Sequence, residues 1–351
     1  MIDPELLARV LGVLGAAFAG ALLLIFGHGL QLAARRRWSA PRLARGRAVL
    51  HALMDGTAVP PEEMRALRAL PVRLRVRLVV ELASSVAGTQ RTRLSRLAEE
   101  MGLTQSAERL CRSRLWWRRL RGIRLLAAVD AGVDAVPPLL DDPHPVVRAD
   151  AAEWAAAHPG PAVLGRLLAH LDDPSSLARF SVQDSLLRMG AAASEPLLRH
   201  LETRSGEDAR PALEVAAGLA DVRFFPVAVR LCGDADPAVR ACAAELVGAI
   251  GGGEGTELLA ALLDDPDAGV RAAATRALGA LRHWPAASGL ALRLRDSAWI
   301  VRREAGLALR AVGSPGLLFL RRALDDPDPF AADMARQVLD LPGDAAADTA
   351  R

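Results

Sequence analysis

The chain has 351 residues, 51% of them apolar and 4% aromatic, with a net charge of +3. That is ample material for a core, while three scattered cysteines (Cys111, Cys232 and Cys242) argue against a disulfide framework or a structural zinc site and fit a reducing compartment. The small net charge hides two opposed parts: residues 35–128 carry 21 Arg against 7 acids (+14), and residues 129–351 carry 22 Arg against 32 acids (−10).

The first predicted element is a transmembrane helix. Residues 10–34 hold no charge, and the apolar run 10–32 would be roughly 34 Å long as a helix, enough for a hydrocarbon core of about 30 Å. A cleaved secretory signal fits less well, because Asp3 and Glu5 precede the run with only Arg9. Arg35, Arg36 and Arg37 follow it, with Trp38 where an interfacial aromatic belongs. The expectation is therefore a single-pass protein of the bacterial inner membrane, with residues 1–9 outside and the rest cytoplasmic. Gly12, Ala16 and Gly20 fall four apart, a small-residue stripe for packing against another membrane helix.

Residues 35–59 read as a basic juxtamembrane segment and 60–112 as an irregular helical cap. Pro60 and Pro61 before Glu62 and Glu63 mark one helix start, and Gly102 marks a helix end. A dense basic cluster follows: Arg112, Arg114, Trp116, Trp117, Arg118, Arg119 and Arg121. We read it as a patch for an anionic lipid surface or an acidic protein partner. Nucleic acid is the less favoured ligand, because the acidic remainder of the chain opposes an extended phosphate track.

From there a period sets in. Arg118, Arg148, Arg179, Arg210, Arg240, Arg271 and Arg302 are separated by 30 or 31 residues, each opening an alanine-rich stretch. The best copies read DDPHPVVRADAA from Asp141, DADPAVRACAA from Asp234 and DDPDAGVRAAATRAL from Asp264. Weaker ones start at Asp172, Asp296 and Asp325. Such a unit suits helix A, an Asp-Pro turn and helix B, stacked as a solenoid.

This pattern resembles the short HEAT-like repeats of the phycobilisome-lyase type, over residues 113–341. The resemblance implies an all-α fold, an α-solenoid of helical hairpins, and no single fixed activity. Asp142, Asp173, Asp234, Asp265, Asp296 and Asp326 are expected to cap helix B. Arg148, Arg179, Arg210, Arg240, Arg271 and Arg302 are expected to form a structural ladder along the seams between repeats. Around Arg210 the Asp-Pro turn is lost and Arg204 stands where the aspartate belongs, so that unit should be irregular. Ala332 replaces the last arginine, as suits a terminal cap, and residues 342–351 read as a disordered tail. With no Lys, Asn or Tyr in the chain, the composition suggests a GC-rich, bacterial member.

Catalytic signatures are lacking. No histidine precedes a glutamate, as in the His-Glu pairs with which some HEAT-like proteins bind two irons. There is no lysine for a phosphate loop and no GxSxG. Neither catalytic residue nor cofactor nor metal is expected. Glu153, Asp184 and Glu245, each five residues past a ladder arginine, form a candidate acidic strip for a protein partner. The function expected from sequence is thus a membrane-anchored, non-enzymatic scaffold that binds a partner in a membrane-associated complex, such as an envelope or polysaccharide-synthesis complex. The alternatives are a HEAT-like lyase or isomerase acting on a bound prosthetic group, and a nucleic-acid-binding HEAT-like protein. Sequence leaves the oligomeric state open.

Overall fold

In the computed structural model the described residues are 18, 20, 23, 26 and 40–342, except 84 and 87. They are all-α, and they fall into two compact units divided between Ala135 and Val136.

The first unit runs from α1 (residues 40–54) through α2 (Pro61–Arg68), α3 (Val72–Ala83), α4 (Thr89–Glu100), α5 (Leu103–Cys111) and α6 (Trp116–Ala128). Helix α2 starts at Pro61 with Glu62 and Glu63 in its first turn, where the helix dipole favours negative charge. Gly102 after α4 adopts φ 67°, a left-handed conformation that glycine reaches without steric cost. The core is aliphatic, with Leu50, Leu94, Leu103, Ile123 and Leu126 fully buried. Several arginines of this basic unit serve helix ends. Arg75 donates to the Met101 carbonyl at 2.6 Å, Arg91 to Ala127 at 2.9 Å and Arg93 to Met54 at 2.9 Å. Each guanidinium satisfies a carbonyl that a helix terminus leaves open, so part of the charge surplus is structural.

The membrane expectation does not stand. Among the described residues no helix is long and apolar enough to cross a membrane, which overturns the inner-membrane location and the single-pass topology. Gly12, Ala16, Arg35, Arg36, Arg37 and Trp38 lie outside the described residues, as does most of 10–34. Gly20 is helical, and nothing lies within 4 Å of the place a Cβ would take there.

The second unit is a stack of hairpins. A 3-10 turn, Pro137–Asp141, precedes α7 (Pro145–Ala155), followed by the pairs α8 (Pro161–Ala169) with α9 (Ser176–Met189), and α10 (Ala191–Glu202) with α11 (Arg210–Leu219). Then come α12 (Phe225–Leu231) with α13 (Pro237–Ile250), α14 (Gly253–Leu262) with α15 (Ala268–Ala280), α16 (Ala287–Arg293) with α17 (Trp299–Val312), and α18 (Ser314–Ala323) with α19 (Pro329–Leu339). In every regular repeat the residue before the ladder position is fully buried: Val147, Ala178, Val239, Val270, Val301 and Ala331. That buried side chain anchors the first turn of helix B, and burying a valine contributes roughly 1.5–3 kcal/mol.

Neighbouring B helices pack closely because small residues face each other. A Cβ added at Gly279 of α15 would lie 2.6 Å from the Ala308 Cβ and 2.7 Å from its Cα, in α17. A Cβ at Gly248 of α13 would lie 2.5 Å from the Ala277 Cβ in α15. The unit expected to be irregular carries a 3-10 turn, Gly206–Ala209, before a short α11.

Replacing Gly279 by Val should lower the melting temperature, followed by circular dichroism, because overpacking against backbone costs about 1–3 kcal/mol. Gly165→Ala is the control: nothing lies within 4 Å of its Cβ position inside α8. That change should leave stability unchanged or raise it by about 0.5–1 kcal/mol.

Candidate functional site

The turns between helices A and B carry the most ordered polar chemistry of the second unit. Each turn aspartate accepts from the backbone amide two residues on: His144 to Asp142, Ser175 to Asp173, Asp236 to Asp234, Asp267 to Asp265, Ala298 to Asp296 and Asp328 to Asp326, all at 2.9 Å. The expected role as helix cap is therefore shifted. The residue donating this bond is itself the helix N-cap, and where it is Asp236, Asp267 or Asp328 its side chain makes the true capping bond.

With its turn folded this way, the aspartate presents its carboxylate to the preceding repeat. Arg148 grips Asp173 with Nε at 2.6 Å and Nη2 at 2.7 Å, Arg240 grips Asp265 at 2.9 and 2.9 Å, and Arg271 grips Asp296 at 2.8 and 2.8 Å. The third nitrogen, Nη1, donates to the carbonyl of the arginine's own turn aspartate, at 2.7 Å from Arg148, 2.9 Å from Arg240 and 2.8 Å from Arg271. These pairs are largely buried, with side-chain exposures of 13% and 1% in the first. Burial alone would raise the carboxyls of Asp173, Asp265 and Asp296. The facing guanidiniums and the amide bonds outweigh it and hold all three below the usual carboxylate range.

The remaining ladder positions differ, each for a legible reason. Arg179 donates to the Asp173 carbonyl at 2.8 Å, but Arg204 occupies the position of its carboxylate partner. Arg210 falls at the very start of α11 and pairs with Glu214 of its own helix, at 4.0 Å. Arg302 donates to the carbonyls of Asp296 (2.7 Å) and Ser297 (3.0 Å) while its guanidinium lies over Phe330 at 4.8 Å. Asp326, its counterpart, is gripped instead by Arg295 at 2.8–3.0 Å. Among the described residues neither Arg179 nor Arg302 has a carboxylate within ion-pair distance.

The acidic strip is interrupted. Glu153 is exposed on α7, Asp184 pairs with Arg188 on its own helix at 3.5 Å, and Glu245 bonds Arg276 of the next repeat at 2.5 Å. Arg276 sits five residues past Arg271, so the row carries its own counter-charge. A set of arginines missed from sequence ties helices A to the preceding repeat: Arg166 pairs with Asp141, Arg230 donates to the Leu201 carbonyl at 2.7 Å and Arg293 to that of Leu263 at 2.9 Å. Their signal was an arginine in or near the last turn of helix A, masked by the abundance of arginine elsewhere.

In the first unit, Arg112, Arg114, Trp116, Trp117, Arg118 and Arg121 are exposed around the α5–α6 turn. Arg118 lies over the Trp117 ring at 5.1 Å, and Arg119 holds the turn through the Ser113 and Arg114 carbonyls at 3.0 and 3.1 Å. A small cleft between α1 and α3 is crossed by an Arg47–Glu81 pair at 2.8 Å. Burial pushes Cys111 and Cys242 up to about 11 and Cys232 up to about 12, so these thiols are not activated nucleophiles. No group of three or more metal-ligating side chains occurs among the described residues.

The ladder yields two linked expectations. Arg240→Ala and Arg271→Ala should each cost about 3 kcal/mol, by leaving a buried carboxylate unpaired, whereas Arg179→Ala and Arg302→Ala should cost about 1 kcal/mol or less. Thermal melts of the four variants separate the two classes. The aspartates titrate below their unfolded value, so their contribution is full above that value and is lost as pH falls through the lower, folded one. The stability gap between wild type and Asp296→Asn should therefore be constant near neutrality and close below about pH 4.

A family model of HEAT repeats matches residues 194–279 and 255–340. Among solved structures, human deoxyhypusine hydroxylase in complex with glycerol is 22% identical, with a TM-score of 0.30 over 86% of this chain and 97% of that one. The CpcE–CpcF complex of phycocyanin lyase from Nostoc sp. PCC7120 is 18% identical, with a TM-score of 0.33 over 68% and 93%. Kap95p, in a structure of its binding to RanGDP, is 13% identical, with a TM-score of 0.50 over 83% of this chain and 51% of that one. No curated protein matches the chain. At these identities the likenesses show the fold alone. Two of these proteins are nevertheless enzymes, which overturns the expectation that a chain of this fold is not one. The matches carry neither a membrane anchor nor a bacterial source over to this chain. What they and the geometry establish together is an all-α chain whose second unit is a solenoid of HEAT-like hairpins, with residues 194–340 matching the HEAT-repeat model.

Proposed function

We propose that the second unit is a protein-recognition surface, whether for binding alone or for holding a protein client on which chemistry is done. The observation that carries this is the apolar decoration of an otherwise well-packed array. Phe180, Trp284, Leu292, Trp299 and Phe330 are each more than half exposed, although the repeats beneath them have a fully buried aliphatic core that includes Leu186, Leu213, Leu278 and Leu309. Single exposed apolar residues are ordinary, but large aromatics recurring along a repeat array are what protein interfaces are enriched in. The unit's excess of acids speaks against nucleic acid as the ligand of this surface. A lyase or isomerase acting on a prosthetic group carried by the client is compatible with the same recognition step, and no residue here is assigned to that chemistry.

The acidic strip, with Glu153, Asp184 and Glu245, and the basic turn from Arg112 to Arg121 are the two charged surfaces we propose as secondary contacts. Both are partly satisfied within the chain, which makes them weaker anchors than the exposed aromatics.

The test is affinity purification of the full chain and of a Phe180→Ser, Trp284→Ser, Phe330→Ser variant from the native cell, with mass spectrometry and an absorption spectrum. The variant should melt within about 2 °C of wild type, because exposed substitutions change stability little. A protein retained stoichiometrically by wild type and lost from the variant supports the proposal. Equal retention by both overturns it, and a visible-absorbing ligand held with the client would favour the lyase reading.

A further inference from the structure

The two rung arginines without a carboxylate are also the two flanked by large exposed apolar side chains. Beside the satisfied Arg148, Arg240 and Arg271, the residues two positions earlier are a half-buried Val146, Ala238 and Gly269, and the residues one position later are Ala149, Ala241 and Ala272. Beside Arg302 the first turn of α17 carries Trp299, 57% exposed, and Ile300, 36% exposed, with Phe330 of the next repeat 61% exposed beneath the guanidinium. Beside Arg179 stand Leu177 and Phe180, both exposed. Size and missing charge thus change together at the same positions, and not at the satisfied rungs.

At Arg302 the cause is a one-residue contraction. Asp265 and Asp296 are 31 residues apart, Asp296 and Asp326 only 30; the turn after helix A keeps its length, α17 and α18 are joined by Gly313 alone, and Asp326 meets Arg295. Nη1 of Arg302 is held by two carbonyls, and the guanidinium carbon lies 4.8 Å from the centre of the Phe330 ring. This leaves Nε and Nη2 as an oriented fork of the kind that holds a carboxylate at Arg148, Arg240 and Arg271. Arg303, over the Trp299 ring at 5.9 Å, adds a second positive group, itself paired with Glu304 at 2.9 Å.

We propose that Arg302, Trp299, Ile300 and Phe330 form a docking site for an acidic segment of a partner protein. A carboxylate of that segment takes the place on Nε and Nη2 that a turn aspartate takes elsewhere in the ladder. Apolar side chains next to it in the segment cover the Trp299 and Phe330 rings. The charge is complementary, Nη1 is tied to two carbonyls before binding, and the aromatic faces supply the buried area that an exposed ion pair alone lacks. This rests on the reading of the second unit as a protein-recognition surface.

The probe is a labelled 15-residue peptide of Asp, Glu, Leu and Phe, with a second peptide in which Asn and Gln replace the acids. Binding to the full chain is followed by fluorescence anisotropy. The acidic peptide should bind the wild type about tenfold or more tightly than the amide peptide, and Arg302→Gln should remove most of that difference. Trp299→Ala should weaken the acidic peptide several-fold, and it serves as the second variant should Arg302→Gln fold poorly. Arg302→Gln should otherwise melt within about 2 °C of wild type, since no buried carboxylate is left behind. Equal binding of the two peptides, or acidic binding indifferent to both substitutions, overturns the site. If the site fails in this way while the serine variant still loses its client, the recognition reading stands with its contact elsewhere; if that variant loses nothing, both readings fall.

Discussion

The second unit depends on one bond: a guanidinium from one helix B, held two-pronged by the turn aspartate of the next repeat. A repeat of some 30 residues cannot bury its own apolar face, so its stability is inseparable from that of its neighbours. Alanine and valine provide close contact between the B helices, but a surface of small aliphatic side chains slides easily. The arginine fixes the register. Its head is tied at once to its own turn, through the carbonyl, and to the next one, through the carboxylate. Each aspartate thereby joins two repeats and its own helix start, which explains why it can remain ionised while nearly buried.

The same chemistry recurs in a looser form throughout the molecule. Arginine is the only long cation in the chain, and at several helix ends it bonds the terminal carbonyls of another element. Arg75, Arg91 and Arg93 do so in the first unit, and Arg230, Arg293 and Arg310 in the second. The basic excess of residues 35–128 therefore invites a membrane or nucleic-acid reading from sequence, while several of its guanidiniums are bonded to helix-terminal carbonyls. Counting charges does not distinguish a guanidinium that neutralises carbonyl dipoles from one that faces a partner.

Legibility from sequence followed the periodicity. The recurrence of Asp, Pro and Arg at 30–31 residues was enough to expect helical hairpins, a ladder and an irregular unit near Arg210. The two-residue offset between the turn aspartate and the helix N-cap was not legible, because both positions are often Asp and only the backbone decides which carboxylate faces which amide. The 30-residue step to Asp326 is visible in the sequence, but its effect needs three-dimensional register: it transfers an aspartate from Arg302 to Arg295. A long apolar run near the amino terminus outweighed everything else in the topological reading, and no membrane-crossing helix lies among the described residues. The exclusion of catalysis rested on missing motifs, a weak ground for a fold that hosts enzymes.

The ladder is not continuous. One run joins Asp142, Arg148, Asp173 and Arg179; a second joins Asp234, Arg240, Asp265, Arg271, Asp296 and Arg302. Between them, at the 3-10 turn before α11, Arg204 takes the aspartate's place and Arg210 pairs within its own helix. The stack is thus two laddered blocks on either side of the α10–α11 repeat, whose seams are held by single bonds such as Arg230 to the Leu201 carbonyl and the Gly206 amide to Asp234, with no two-pronged pair across them among the described residues. Drawn out by its ends, the stack should part first at one of these two seams, where single hydrogen bonds stand in for the two-pronged ion pair.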